Sequence, residues 1–218
     1  MFIGHFALGF AAKKAAPAVS LAWLFVAAQF ADLLWPTLVA LGVERVAIEP
    51  GITRVTPLNF ISYPYSHSLV MLLVWGIGLA LVYRQMSADV TGAFMLAALV
   101  VSHWILDVVT HRPDMPLYPG SARFGLGLWQ SIAATIMVEL ALFAGGIWLY
   151  VRETRPRDGV GRWSLTAMVV SLIGIYFANL SAGAPPSVTA IWVSGLIGAV
   201  LVIAWSAWLD RHRQARSR

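Results

Sequence analysis

Apolar runs of about twenty residues recur along the whole chain, separated by short polar joints, and they leave few ways to fold. A hydrocarbon core of roughly 30 Å is crossed by about 20 helical residues, and each run is that long. We read six spans, over residues 17–43, 67–84, 90–110, 126–151, 163–181 and 187–209. The expected fold is all-α: a polytopic membrane helix bundle forming one domain over 1–210, with a basic cytoplasmic tail over 211–218. Pro36 lies inside the first span and should kink it or end it early, because proline lacks the N–H that a helix interior needs. Pro185-Pro186 marks the turn before the last span.

Charged residues make up 11% of the chain, whereas a soluble domain carries about 25%. The net charge of +5 raises the question of nucleic acid. The basic residues flank the apolar runs, however, and so read as an orientation signal, with no nucleic-acid partner implied. Eleven of the fifteen fall on one side: Lys13, Lys14, Arg84, four arginines between 152 and 162, and four from Arg211 onward. Arg45, Arg54, Arg112 and Arg123 fall on the other. This places both termini in the cytoplasm of a multi-pass protein of the inner (cytoplasmic) membrane. The first residues carry no basic region, so a cleaved signal peptide is not expected.

Residues 1–12 are too short to span and too apolar for a free tail. They form either a half-helix with a buried start, which would put His5 roughly 12 Å from Lys13 and Lys14, or an interfacial helix lying flat. The 44–66 joint is the longest outer loop and has room for a short structured segment.

A charge in hydrocarbon costs about 2.5–3.5 kcal/mol on insertion scales, so acids and histidines inside spans usually face a site or a partner. His103, Asp107 and His111 are spaced at i, i+4 and i+8, on one face near the outer end of the third span. Because i to i+8 covers about 12 Å, a pair of metals, or one metal with a neighbouring support residue, suits them better than one ion held by all three. His67 opens the second span within Tyr65-Ser66-His67-Ser68. Asp32 is a lone acid in the outer half of the first span, and Glu139 lies near mid-bilayer in the fourth. His5 completes the group, while His212 belongs to the basic tail. Each has a bland explanation singly, as a helix-pinning pair, a cap or a protonated acid. Their shared depth is what points to a divalent ion. With no cysteine in the chain, that ion must be held by nitrogen and oxygen, which suits zinc first, then manganese or iron.

These residues resemble a known family. Gly4-His5, Asp32 with Pro36 after it, Ser66-His67-Ser68, and Ser102-His103 with Asp107 four residues on are similar to motifs of the membrane-bound metal-dependent hydrolases. That family was formerly a domain of unknown function, and one bacterial member is under control of the SOS repressor. The likeness covers about residues 1–120. It implies a hydrolase with His5, Asp32, His67, His103 and Asp107 as metal ligands. The family's stretch is often Pro-Asp-x-Asp-His, where this chain has Phe30-Ala31-Asp32-Leu33-Leu34-Trp35-Pro36 and a single acid. Tyr63-Pro64-Tyr65 stands where the family has a basic residue and glycine.

Three functions follow as expectations. The first is hydrolysis of a phosphoester or other lipid-like ester, with His111 or Glu139 as general acid–base and membrane lipid as partner. The second is transport of a divalent cation or protons through the same cluster, with Glu139 as relay. The third is a structural protein whose polar groups only pin helices. No serine sits in a Gly-x-Ser-x-Gly elbow, and neither a P-loop nor a dinucleotide fingerprint is present. The ten tryptophans read as interfacial anchors and packing.

Overall fold

The computed structural model describes residues 1–216. In chain order its helices are α1 (Ile3–Ala11), α2 (Leu21–Ala28), α3 (Phe30–Ala40), α4 (Pro64–His67), α5 (Leu69–Met86), α6 (Val90–Thr110), α7 (Ile132–Glu153), α8 (Gly159–Ser181) and α9 (Val188–Arg211). Three short antiparallel ladders join their ends: β1 (Arg45–Ile48) with β2 (Leu58–Ser62), β3 (Met115–Pro116) with β4 (Arg123–Phe124), and β5 (Thr154–Pro156) with β6 (Arg213–Ala215). Every long helix opens on a serine or aspartate that accepts a backbone N–H three residues on. Ser68 takes Met71, Asp89 takes Gly92, Ser131 takes Ala134, Asp158 takes Gly161 and Ser187 takes Ala190. Such caps satisfy donors that a helix start otherwise leaves open, and they fix where each run begins.

Helices α5 to α9 are each long and apolar enough to cross a membrane, and α2 with α3 forms a sixth candidate, bent by 57°. The bend corrects the expectation for the first span. It falls at Gln29 (φ −101°, ψ 11°), and Pro36 sits inside α3 without ending it. Outward faces carry Leu73, Ile77, Phe94, Met137, Val170 and Leu201, all exposed. An apolar surface this extensive suits lipid rather than water.

Residues 1–12 form a half-helix packed inside the bundle rather than a helix lying flat. Ile3, Gly4, His5, Phe6, Ala7, Gly9 and Phe10 are buried, and α1 lies against α7 and α2. The close approach depends on Gly146, where a Cβ would come 2.3 Å from the Ala7 carbonyl oxygen. Gly146→Ala should therefore push α1 off α7 and cost about 1–3 kcal/mol, read as a lower unfolding temperature in detergent. Gly145→Ala, with open space around its Cβ, should leave that temperature unchanged.

Two cores hold the helices. One joins α1, α2, α7, α8 and α9 through Phe10, Phe25, Phe143, Tyr150 and Met168; the other joins α2, α5 and α6 through Leu24, Leu72, Leu96 and Val100. A smaller cluster of Trp35, Val46, Phe60, Tyr63 and Met115 closes the end of the bundle at which α1 begins. The structured segment expected in the 44–66 joint is the β1–β2 hairpin, which supplies Val46 and Phe60 to this cap. At the other end, the basic segment expected as a tail folds back on the bundle. Arg213–Ala215 pairs with Thr154–Pro156, and Arg213 is buried against Thr154 and Gly161. The last two residues of the expected tail, Ser217 and Arg218, lie outside the described residues.

Candidate metal centre

The break at Gln29 explains how an apolar bundle holds polar groups. Ending α2 at Ala28 frees its carbonyl, which accepts the Nδ1–H of His103 at 2.9 Å. That contact leaves Nε2 of His103 as a lone pair, and it is buried without a hydrogen-bond partner. Restarting the chain as α3 puts Asp32 in a first helical turn, where a carboxylate is favoured by the helix dipole.

His67 is turned the same way by a longer relay. Ser66 Oγ donates to Glu44 Oε2 at 2.6 Å, so it accepts from His67 Nδ1 at 2.7 Å. Glu44 Oε1 also takes the backbone N–H groups of Tyr65 and Ser66, fixing the one-turn helix α4 that carries the histidine. Ser66 is thus a support for His67; the helix start expected there belongs to Ser68, which caps α5.

His111 follows the pattern again. Its Nδ1–H donates to Asp114 Oδ1 at 2.9 Å, and Tyr63 donates to the same oxygen at 2.7 Å. Burial pushes the Asp114 carboxyl up, but bonds from His111, Tyr63 and Arg112 outweigh this and hold it below the usual range. Burial and the Asp114 charge push the Tyr63 phenol well above its ordinary value, so it stays a donor.

Three imidazoles therefore present Nε2 to one carboxylate. Asp107 Oδ2 lies 3.2 Å from Nε2 of His103, and 3.8 Å from those of His67 and His111. Asp32 Oδ1 completes a ring at 3.6 Å from His67 and 3.8 Å from His103. Bonds of about 2.0–2.1 Å in a tetrahedron would separate ligand atoms by about 3.4 Å, and the ring edges straddle that value. The bare His103 Nε2 and these separations fit a divalent ion, so these side chains could hold one. The side chains close enough to share one ion form two overlapping groups, Asp32 with His67 and His103, and His5 with His103 and Asp107.

His5 approaches from the opposite side. Its Nε2 lies 3.0 Å from Asp107 Oδ1, its ring stacks on His103 at 3.7 Å, and its Nδ1 is buried without a partner. The Met1 amine reaches the same Asp107 oxygen at 2.5 Å. Asp32 is the accessible member, its side chain 43% exposed, while His67, His103 and Asp107 are buried.

The i to i+8 spacing argued against one ion held by His103, Asp107 and His111 together, and His111 is in neither ligand group. Helix α6 ends at Thr110, and His111 follows in extended geometry (φ −68°, ψ 150°), so its Nε2 still comes within 3.8 Å of Asp107. Glu139 is not among the grouped ligands. Its Oε2 accepts the backbone N–H groups of Phe2 at 2.9 Å and Gly4 at 3.2 Å, capping α1 from a neighbouring helix.

Sequence reasoning passed over Glu44, Tyr63 and Asp114. Asp114 had a signal in its place three residues after His111, a short step beyond the helix end. Glu44 had none, since the loop alone brings it to Ser66. Compared with known proteins, the chain matches no family model, no curated protein and no solved structure.

Proposed function

We propose that the protein is a membrane-embedded, metal-dependent hydrolase of a phosphoester or other ester of a lipid-like substrate. It would sit in the cytoplasmic membrane with both termini inside. The observation that carries this reading is the ring of His67, His103, Asp32 and Asp107, with each imidazole steered by a second partner on its far nitrogen. Ligand histidines are oriented in this way, which fixes the tautomer and the ring. The resemblance of Gly4-His5, Ser66-His67-Ser68 and Ser102-His103 with Asp107 to the membrane-bound metal-dependent hydrolases supports it.

Zinc is the preferred ion, with manganese or iron next; when bound, it would lower the pKa of a water to about 7 and polarise the scissile group. The chain's own residues do the rest. His67, His103, Asp32 and Asp107 would hold the ion, and His5 would fix the second oxygen of Asp107. His111, steadied by Asp114, would accept a proton from the attacking water at Nε2. It would return that proton to the ester oxygen that leaves, giving an acid and an alcohol. Substrate would approach past Asp32, the exposed side of the ring.

Transport of a cation or proton through the same cluster is the weaker reading. It calls for a relay near mid-bilayer, and Glu139 is engaged with the start of α1. The test is turnover of a chromogenic phosphodiester and of phospholipid vesicles by protein purified without chelator. Activity should disappear with chelator and return with zinc. Stoichiometric metal without turnover, together with zinc flux in liposomes, would count for transport instead.

A further inference from the structure

The end of the bundle opposite the metal ligands holds a second polar site. A cavity of about 230 Å³ lies there, lined by Lys13, Tyr150, Arg157, Asp210 and Arg213 among others. It is about 16 Å along α7 from Glu139, counting 1.5 Å per residue to Tyr150. The β5–β6 ladder and the end of α9 build it, so it exists because the basic segment is docked.

Its charges do not balance. Asp210 sits 3.9 Å from the Lys13 ammonium and takes the Leu21 N–H, which accounts for one cation. Arg213 is 6% exposed and bonds only to neutral oxygens, those of Thr154 and the Gly161 carbonyl. Among the described residues it has no carboxylate partner. Arg157, at the exposed rim, has no ion pair among the described residues either. A buried guanidinium without a counter-charge is costly, and an anion would relieve that cost. The buried Tyr150 side chain lines the same cavity; the Arg213 guanidinium carbon lies 5.3 Å from the centre of its ring, and its hydroxyl makes no hydrogen bond. It adds a neutral donor to one N–H of Arg213 that these contacts leave over.

We infer that this cavity binds a phosphate group through Arg213, Arg157 and Tyr150. Its volume lies below the roughly 300–1,000 Å³ of pockets that take drug-sized ligands, which suits a phosphate and not a nucleotide. The phosphate is either that of an anionic phospholipid headgroup, whose acyl chains stay in the adjoining leaflet, or free in solution. The inference does not depend on the hydrolase reading, because no metal ligand lines this cavity.

Arg213 also holds β6 to β5, so its loss would mix binding with unfolding. Arg157→Gln and Tyr150→Phe carry the test. The full chain in neutral detergent is titrated with inorganic phosphate, against chloride at equal ionic strength, and its unfolding temperature is followed. Native mass spectrometry then compares retention of phosphatidylglycerol and phosphatidylcholine. The expected result is a saturable rise with phosphate, or one phosphatidylglycerol held per chain, weakened about tenfold or more in Arg157→Gln and less in Tyr150→Phe. Phosphatidylglycerol retained without competition from phosphate assigns the headgroup; saturation by phosphate with both lipids held alike assigns the free anion. Equal affinity in wild type and both variants overturns the inference, since phosphate held at the metal ligands would ignore these substitutions. So does a chloride effect that matches phosphate.

Discussion

Protein carrying His103→Ala is expected to insert, fold and purify without the roughly stoichiometric divalent metal of the wild type, and to show no turnover. His103 is the ligand the centre can least spare. It belongs to both possible ligand groups, faces Asp32 and Asp107 at once, and supplies the buried Nε2 that nothing in the chain satisfies. Asp107→Ala should have the same effect, because its Oδ2 is the atom that His67, His103 and His111 share. Loss of a supporting residue should give an intermediate result. Ser66→Ala leaves every ligand atom in place but releases the far nitrogen of His67. Loss of such a partner lowers metal affinity by about 10–100-fold, so competition with a chelator of known affinity should order the proteins as wild type, then Ser66→Ala, then His103→Ala. Metal analysis that gives the same content for wild type, His103→Ala and Asp107→Ala would remove the centre, leaving only a helical scaffold with an internal polar network.

The parts of this molecule that were legible in the sequence are those set by local composition. Apolar length alone located α5, α6, α7, α8 and α9 to within several residues, because a run of that length in hydrocarbon must close its own hydrogen bonds. The shared depth of His67, His103, Asp107 and Asp32 was legible because helical rise converts residue number into height. What stayed hidden depends on neighbours distant in sequence. The bend fell at Gln29 rather than at Pro36, since the freed Ala28 carbonyl is taken up by His103, 75 residues away. Glu44 and Asp114 sit in loops whose paths no periodicity encodes, and they matter only through the ring nitrogens they meet. The docking of Arg213 likewise needed Thr154 and Gly161, which the chain brings together only after α8 and α9 have packed.

Replacing Glu139 separates two roles that the sequence could not distinguish. Its carboxylate takes the N–H groups of Phe2 and Gly4, at the start of a helix packed inside the bundle. Glu139→Ala leaves both donors unmet, at about 1–3 kcal/mol each. Against a total stability of about 5–15 kcal/mol, that loss should lower the unfolding temperature sharply and free α1 from the bundle. Since α1 carries His5, metal affinity should fall as a consequence. Glu139→Gln keeps an acceptor oxygen at the same place and gives up only the attraction between a charge and the helix start, about 0.3–1 kcal/mol and at most ~2. It should therefore stay close to wild type in unfolding temperature, metal content and turnover. A group that moves protons during the reaction would respond the other way, because an amide cannot take up or release one at neutral pH. Turnover lost in Glu139→Gln, with unfolding temperature and metal retained, would transfer the acid–base role from His111 to Glu139. Turnover retained in Glu139→Gln, with Glu139→Ala unfolding early, would fix Glu139 as the residue that holds α1, and through it His5, against the centre.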